Sequence, residues 1–266
     1  MRPIETLTAD EAGCLEGVLF DLDDTLLDHG ELTEPAYCAL FRLREAGLVL
    51  IGVTGRPAGW AQVLVRQWPV RAIVAENGAI AFGHHGGMLE RWDAVDEGTR
   101  RARRHRLAAL VAQIRGAFPQ LLPADDVDTR ISDFAFDVGE HSHPPDELVQ
   151  RVAAFARERG ARPLRSSVHL HVGFDTDDKA SGVLRLLHDA LGEDEKAARM
   201  RYAYVGDSEN DERCFAEFCT SIAVSNLRGR MSPSPRFITR AEMGAGFAEA
   251  ARVLLARRSG PAPASF

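Results

Sequence analysis

Apolar residues fall along this chain in short runs alternating with longer amphipathic stretches. Val18-Leu19-Phe20, Leu48 to Val53 and Arg71 to Ala75 read as buried strands. Between them, Thr33 to Ala46 carries Ala36, Leu40, Leu43 and Ala46 at helical spacing and stops at Gly47, while Pro57 opens a second helix that runs to Gln67. Strand, helix, strand, helix, strand predicts a parallel sheet with right-handed crossovers.

The rhythm then changes. Ala79 to Phe82 and Met88 to Trp92 predict a hairpin around Gly83-His84-His85-Gly86-Gly87, followed by a charged helix over Glu97 to Ala117 and a strand over Arg130 to Val138. A helix over Pro145 to Arg159 and two short strands within Arg162 to Phe174 complete this middle segment. From Asp178 the first pattern resumes: a helix to Leu191, a strand at Arg201 to Val205, a helix from Glu209, a strand at Ser221 to Val224 and a last helix over Ala241 to Arg257. The expected fold is an α/β parallel-sheet domain, residues 1–82 and 175–266, interrupted by an α+β unit over 83–174. A Gly- and Pro-rich tail, starting near residue 259, is expected to be disordered.

Composition narrows the function classes. With 266 residues, 45% hydrophobic and 27% charged, the chain can bury a sizeable core, and a net charge of -7 argues against nucleic-acid or anionic-membrane partners. Met1 to Gly17 holds Asp10, Glu11 and Glu16 without a long apolar core, so neither an export signal nor a membrane anchor is expected there. Cys14, Cys38, Cys214 and Cys219 form no CxxC pattern and read as reduced thiols, which implies a cytoplasmic protein.

Chemistry concentrates where apolar runs end. After Phe20, Asp21 and Asp23 project to one side of the strand and Leu22 to the other, at the carboxyl edge where open α/β sheets bind ligands. On this stretch alone, a solvated strand end with a helix cap reads equally well. Thr54, Asp207 and Asp211 also follow predicted strands, and the helix that resumes the domain begins near Lys179. Like charges about 4 Å apart cost on the order of 4 kcal/mol at an effective dielectric near 20, so several ionised carboxylates need a cation, and an oxygen-only set suits Mg²⁺. In that setting Asp21 is the candidate nucleophile and Asp23 the candidate general acid and base. Thr54 and the backbone N–H groups of Gly55 and Arg56 are candidate donors to phosphoryl oxygens, and Lys179 supplies balancing charge.

Asp21-Leu22-Asp23-Asp24-Thr25, Thr54-Gly55-Arg56, Lys179 and Gly206-Asp207-Ser208-Glu209-Asn210-Asp211 resemble, in order, the four motifs of the haloacid dehalogenase superfamily. An insertion after the third strand, with Asn77-Gly78 at its entrance, resembles the large α/β cap of Cof-type (type IIB) sugar-phosphate phosphatases. The resemblance implies a Rossmann-like core with an inserted cap, and Mg²⁺ bound by Asp21, the Asp23 backbone carbonyl and Asp207, with Asn210 and Asp211 in support. An acid at position 23 is kept by phosphatases and phosphomutases of the superfamily and not by its dehalogenases. The implied activity is hydrolysis of a sugar phosphate or similar small phosphorylated metabolite through an aspartyl phosphate. A phosphomutase is the alternative within the superfamily. A non-catalytic binding module is the alternative outside it, and predicts loss of the carboxylates and lysine that are all present. Asp24 stands where Cof-type members more often carry glycine.

Other features read more plainly. His169 and His171 share one strand face and, with Arg56 and Asn77, are candidates to meet the leaving group, although a structural role is the default for each histidine and bracing the default for Arg56. The run Arg100-Arg101-Ala102-Arg103-Arg104-His105-Arg106 spreads around a helix and reads as a solvated face; the sharper alternative is one arginine in the cleft holding a second anionic group. His141-Ser142-His143 reads as a solvated loop. Trp60, Trp68, Trp92 and the cysteines read as packing residues.

Overall fold

In chain order the strands are β1 (Arg2–Pro3), β2 (Gly17–Phe20), β3 (Val49–Val53), β4 (Ala72–Ala75), β5 (Ile80–His85), β6 (Met88–Asp93), β7 (Asp133–Asp137), β8 (Arg162–Arg165), β9 (His169–Gly173), β10 (Tyr202–Gly206), β11 (Thr220–Ala223) and β12 (Phe237–Ile238). The α-helices are α1 (Ala9–Gly13), α2 (Glu34–Glu45), α3 (Ala58–Gln67), α4 (Glu97–Ala117), α5 (Asp146–Glu158), α6 (Lys179–Leu191), α7 (Glu195–Arg201), α8 (Glu212–Glu217) and α9 (Met243–Arg258). This computed structural model describes residues 1–229 and 231–258, so the tail expected to be disordered lies outside the described residues.

Nine strands form one sheet in the order β1-β12-β11-β10-β2-β3-β4-β5-β6, parallel from β1 through β4. Alternation sends Val18 and Phe20 to the face covered by α2 and α9, and Leu19 to the face covered by α6 and α8. The chain leaves β2 towards β3 on one side and later returns through β10 on the other, so the crevice of this sheet opens at the carboxyl ends of β2 and β10. Asp21 N–H donates to the Val205 carbonyl there, which sets Asp21 beside Gly206-Asp207.

A second sheet, β7-β9-β8, is antiparallel. One face, with Phe136, Leu170 and Val172, packs under α4 and α5, and alternation leaves His169 and His171 on the other.

The hairpin departs from expectation. β5 pairs antiparallel with β4, so residues 83–93, expected in the insertion, belong to the large sheet. Strand pairing runs through His84 and leaves a turn at Gly86-Gly87, both with positive φ. The helices α1 and α7 and the two-residue strands β1 and β12 are additions to the expected elements. Among the described residues, no helix is long and apolar enough to cross a membrane.

Two local devices position the site. The buried Glu76 carboxylate accepts the Ser132 N–H and hydroxyl, both at 2.6 Å, the Ile131 N–H at 2.9 Å and the Ala58 N–H at 3.0 Å, tying the 131–133 segment to the end of β4. A Cβ on Gly182 would lie 2.4 Å from Gly78 Cα, so two glycines in contact seat the first turn of α6, and with it Lys179, against the turn after β4. The arginine run of α4 is not a purely solvated face. Arg100 and Arg103 close on Asp175 and Arg104 donates to the Asp133 carbonyl, while Arg101 pairs with Glu97 at the surface. Asp24 sits at φ 55, the left-handed region in which glycine is free and aspartate is tolerated.

Candidate active site

Asp21, Asp207 and Asp211 are all buried and offer carboxylate oxygens within 4.8 Å of one another. Lys179, itself buried, donates to Asp21 Oδ1 and Asp211 Oδ1, both at 2.7 Å. Asp211 also accepts the Tyr204 hydroxyl at 2.5 Å and the N–H groups of Asp207 and Ser208 at 2.9 and 3.1 Å, so Oδ1 is committed to Lys179 and Tyr204 and Oδ2 to the loop itself. Asp207 Oδ1 accepts from the Thr25 hydroxyl at 3.2 Å, and Asp207 Oδ2 is buried without a partner.

One lysine faces three buried carboxylates, and the electrostatics follow. Burial pushes the Asp21 carboxyl up; Lys179 opposes this, and Asp211 and Asp23 add to it. Burial, Asp21 and Asp211 raise the Asp207 carboxyl as well. Burial would lower the Lys179 ammonium, but Asp21 and Asp211 hold it protonated. An all-oxygen site with surplus negative charge and an unpartnered Asp207 oxygen fits a hard divalent cation. The side chains open to direct ligation are Asp21 and Asp207. Asn210 accepts the Ser208 hydroxyl at 2.8 Å and reaches Asn77 Oδ1 at 3.4 Å, and the Asp23 carboxylate turns elsewhere.

Asp23 turns to Arg56. The guanidinium Nε lies 2.9 Å from Asp23 Oδ2 and Nη2 lies 2.8 Å from Oδ1, and the far edge of the same group meets Glu140 in the insertion. Arg56 thereby ties its loop to Asp23 and to the second sheet's segment. Its backbone N–H donates to Thr54 Oγ1 at 3.0 Å and is therefore not the free donor that the sequence led us to expect. The Thr54 hydroxyl keeps its own proton to give.

Gly55 is hemmed in. A Cβ there would lie 2.9 Å from His171 Nε2 and 3.3 Å from Asn77 Nδ2, and Arg130 Nη1 donates to its carbonyl at 2.9 Å. His171 Nδ1 lies 2.9 Å from Asp133 Oδ2, while His171 Nε2 and Asn77 Nδ2 are buried without partners. His169 Nε2 lies 2.9 Å from Glu140 Oε2. Although burial would raise it, Asp133 is held well below the carboxylate range by Arg130 and His171. Burial lowers the His171 imidazole to about 4, so at neutral pH His171 is uncharged and donates through Nδ1 to Asp133.

His171 gives the stability a pH slope. Between the unfolded value of 6.5 and the folded value of about 4, the unfolded chain binds the extra proton, so stability falls as pH drops through that window, by about 3 kcal/mol in all. Urea unfolding at pH 7 and pH 4.5 should show the loss, and His171→Gln should flatten it; an equally steep slope in the variant would count against this assignment.

Glu76, Asp126, Arg130, Asp133, Glu140 and Tyr204 join the site without having been singled out in the sequence, and Thr25, quoted there only as the end of the first motif, joins it through Asp207. The acids and arginine of Asp125-Asp126-Val127-Asp128-Thr129-Arg130 were the one visible signal, a charged stretch that the structure buries in part.

Comparison with known proteins gives concordant likenesses. Residues 18–96 match the family described as haloacid dehalogenase-like hydrolase. A phosphoglycolate phosphatase of Metallosphaera sedula is 29% identical over 242 residues, covering 90% of this chain and 98% of the relative. Among solved structures, Thermoplasma acidophilum protein 0175 aligns with a TM-score of 0.70 at 18% identity, covering 91% of this chain and 98% of that one. The sucrose-phosphatase of Synechocystis, solved with sucrose and phosphate, aligns with a TM-score of 0.63 at 16% identity, covering 90% and 98%.

Proposed function

We propose that this chain, whose residues 18–96 match the haloacid dehalogenase-like hydrolases, is a Mg²⁺-dependent phosphatase that hydrolyses a sugar phosphate or similar small phosphorylated metabolite. The observation that carries this is the meeting of Asp21, Lys179 and Asp207 at the crevice of the sheet, with Asp23 two residues from Asp21. The two relatives named for phosphoglycolate and sucrose phosphate support a small phosphate ester as substrate.

Asp21 and Asp207, with the Asp23 backbone carbonyl, would hold Mg²⁺, supported by Asn210 and Asp211. When bound, the ion supplies positive charge that offsets the carboxylates and the phosphoryl oxygens. Asp21 attacks phosphorus, the bond from phosphorus to the ester oxygen breaks, and Asp23 gives its proton to the departing alkoxide. Asp23 then takes a proton from the water that attacks the aspartyl phosphate, which releases phosphate and restores Asp21. Lys179 balances charge on Asp21, and the Thr54 hydroxyl donates to a phosphoryl oxygen. The segment bearing His169, His171 and Glu140 covers the crevice and limits water. Four cysteines, all unpaired, support a reducing, cytoplasmic setting.

Phosphate release should be measured with Mg²⁺ across p-nitrophenyl phosphate, sugar phosphates and phosphoglycolate. Release from at least one ester, abolished by a chelator and restored by Mg²⁺, is expected. No release from any of them would sink the proposal, and an isomerised sugar phosphate with little free phosphate would make the protein a phosphomutase.

A further inference from the structure

Arg56 is a buried guanidinium shared by three carboxylates from different parts of the fold, Asp23, Glu140 and, at 3.5 Å from Nη1, Asp126. On one edge it holds Asp23; on the other, Nη2 and Nη1 donate to Glu140 Oε1 and Oε2 at 2.7 and 3.2 Å. Its face lies 4.5 Å from the Trp60 ring centroid. The Asp23 carboxylate is thus aligned with the plane of the guanidinium, and that plane is held by the two close hydrogen bonds to Glu140, by the Trp60 ring and by the longer contact to Asp126.

Glu140 is itself built into place. The Asp137 carboxylate accepts the N–H groups of Gly139, Glu140, His141 and Ser142 at 3.1, 2.9, 3.0 and 2.8 Å, which fixes the backbone that carries Glu140. Glu140 Oε2 also meets His169 Nε2 at 2.9 Å. Burial would raise the Glu140 carboxyl, but His169 and Arg56 hold it down at about 2, so it is ionised at neutral pH. Buried ion pairs of this kind contribute little to stability beyond what an apolar substitute would, so stability alone gives scant reason to build one.

We propose that Glu140 is a positioning residue for phosphoryl transfer: by gripping Arg56 from the inserted segment, it sets the orientation of the Asp23 carboxylate. The proton-transfer group is then aligned only while the insertion lies against the sheet edge. The inference rests on the reading of Asp23 as the acid and base.

The test compares two esters that differ in how much their leaving group needs a proton. kcat/KM, which reports the steps through transfer to Asp21, is measured with Mg²⁺ for phenyl phosphate and p-nitrophenyl phosphate. Glu140→Ala should lower kcat/KM for phenyl phosphate about 10-fold more than for p-nitrophenyl phosphate, a fraction of the effect of losing a general acid outright. Glu140→Gln, which keeps the shape and one acceptor, should show a smaller difference in the same direction. An equal loss on both esters, as from a purely structural defect, or no loss on either, overturns the proposal. Asp23→Asn separates the two levels. If it is selective for phenyl phosphate and Glu140→Ala is not, the role of Glu140 alone fails; if Asp23→Asn is itself indifferent to the leaving group, the reading of Asp23 fails and takes this inference with it.

Discussion

Asp21→Asn is expected to abolish phosphate release, by a factor on the order of 10⁴ or more, while leaving the protein at least as stable as before. The amide cannot attack phosphorus, so the covalent route closes. Its carbonyl oxygen can still accept from Lys179, and removing one charge relieves the repulsion among Asp21, Asp207 and Asp211 that raises their carboxyls. A residue whose loss spares or improves folding and destroys turnover is one placed for function. Phosphate release and thermal unfolding on the same preparation check both halves; activity retained by the variant would end the covalent mechanism.

Lys179→Met should behave in the opposite way, losing activity and stability together. Its ammonium makes 2.7 Å contacts with Asp21 and Asp211 in a buried setting. Truncating it strands carboxylates without a countercharge, a cost of about 3–5 kcal/mol. A divalent cation that binds the folded carboxylates should recover part of that loss, so Mg²⁺ should raise the unfolding temperature more in Lys179→Met than in the parent. A variant as stable as the parent in metal-free buffer would show that the lysine does not carry this charge balance.

How much of this was legible depended on distance along the chain. The parallel strands follow from uninterrupted apolar runs, and Asp21, Thr54 and Asp207 each come directly after one, so a rule about strand ends suffices to bring them to one edge. The hairpin was half legible: its turn glycines were visible, but which sheet it joins depends on the pairing of β5 with β4. The contact from Arg56 to Glu140 spans 84 residues and two sheets, and no periodicity encodes it. Glu76 was equally silent, because a lone acid after a strand looks the same whether it meets water or the amides of 131–133. Short elements such as β1, β12 and α7 are below the length at which a period can be read.

The hairpin on the outer side of β4 has one more effect. It makes β6, with Glu90, Arg91 and Asp93, the border of the nine-stranded sheet, and the opposite border is the two-residue β1, which carries Pro3. A charged ribbon at one end and a strand too short to template another at the other both disfavour pairing with a second chain. Strand-to-strand aggregation through the large sheet is thereby discouraged at both of its margins.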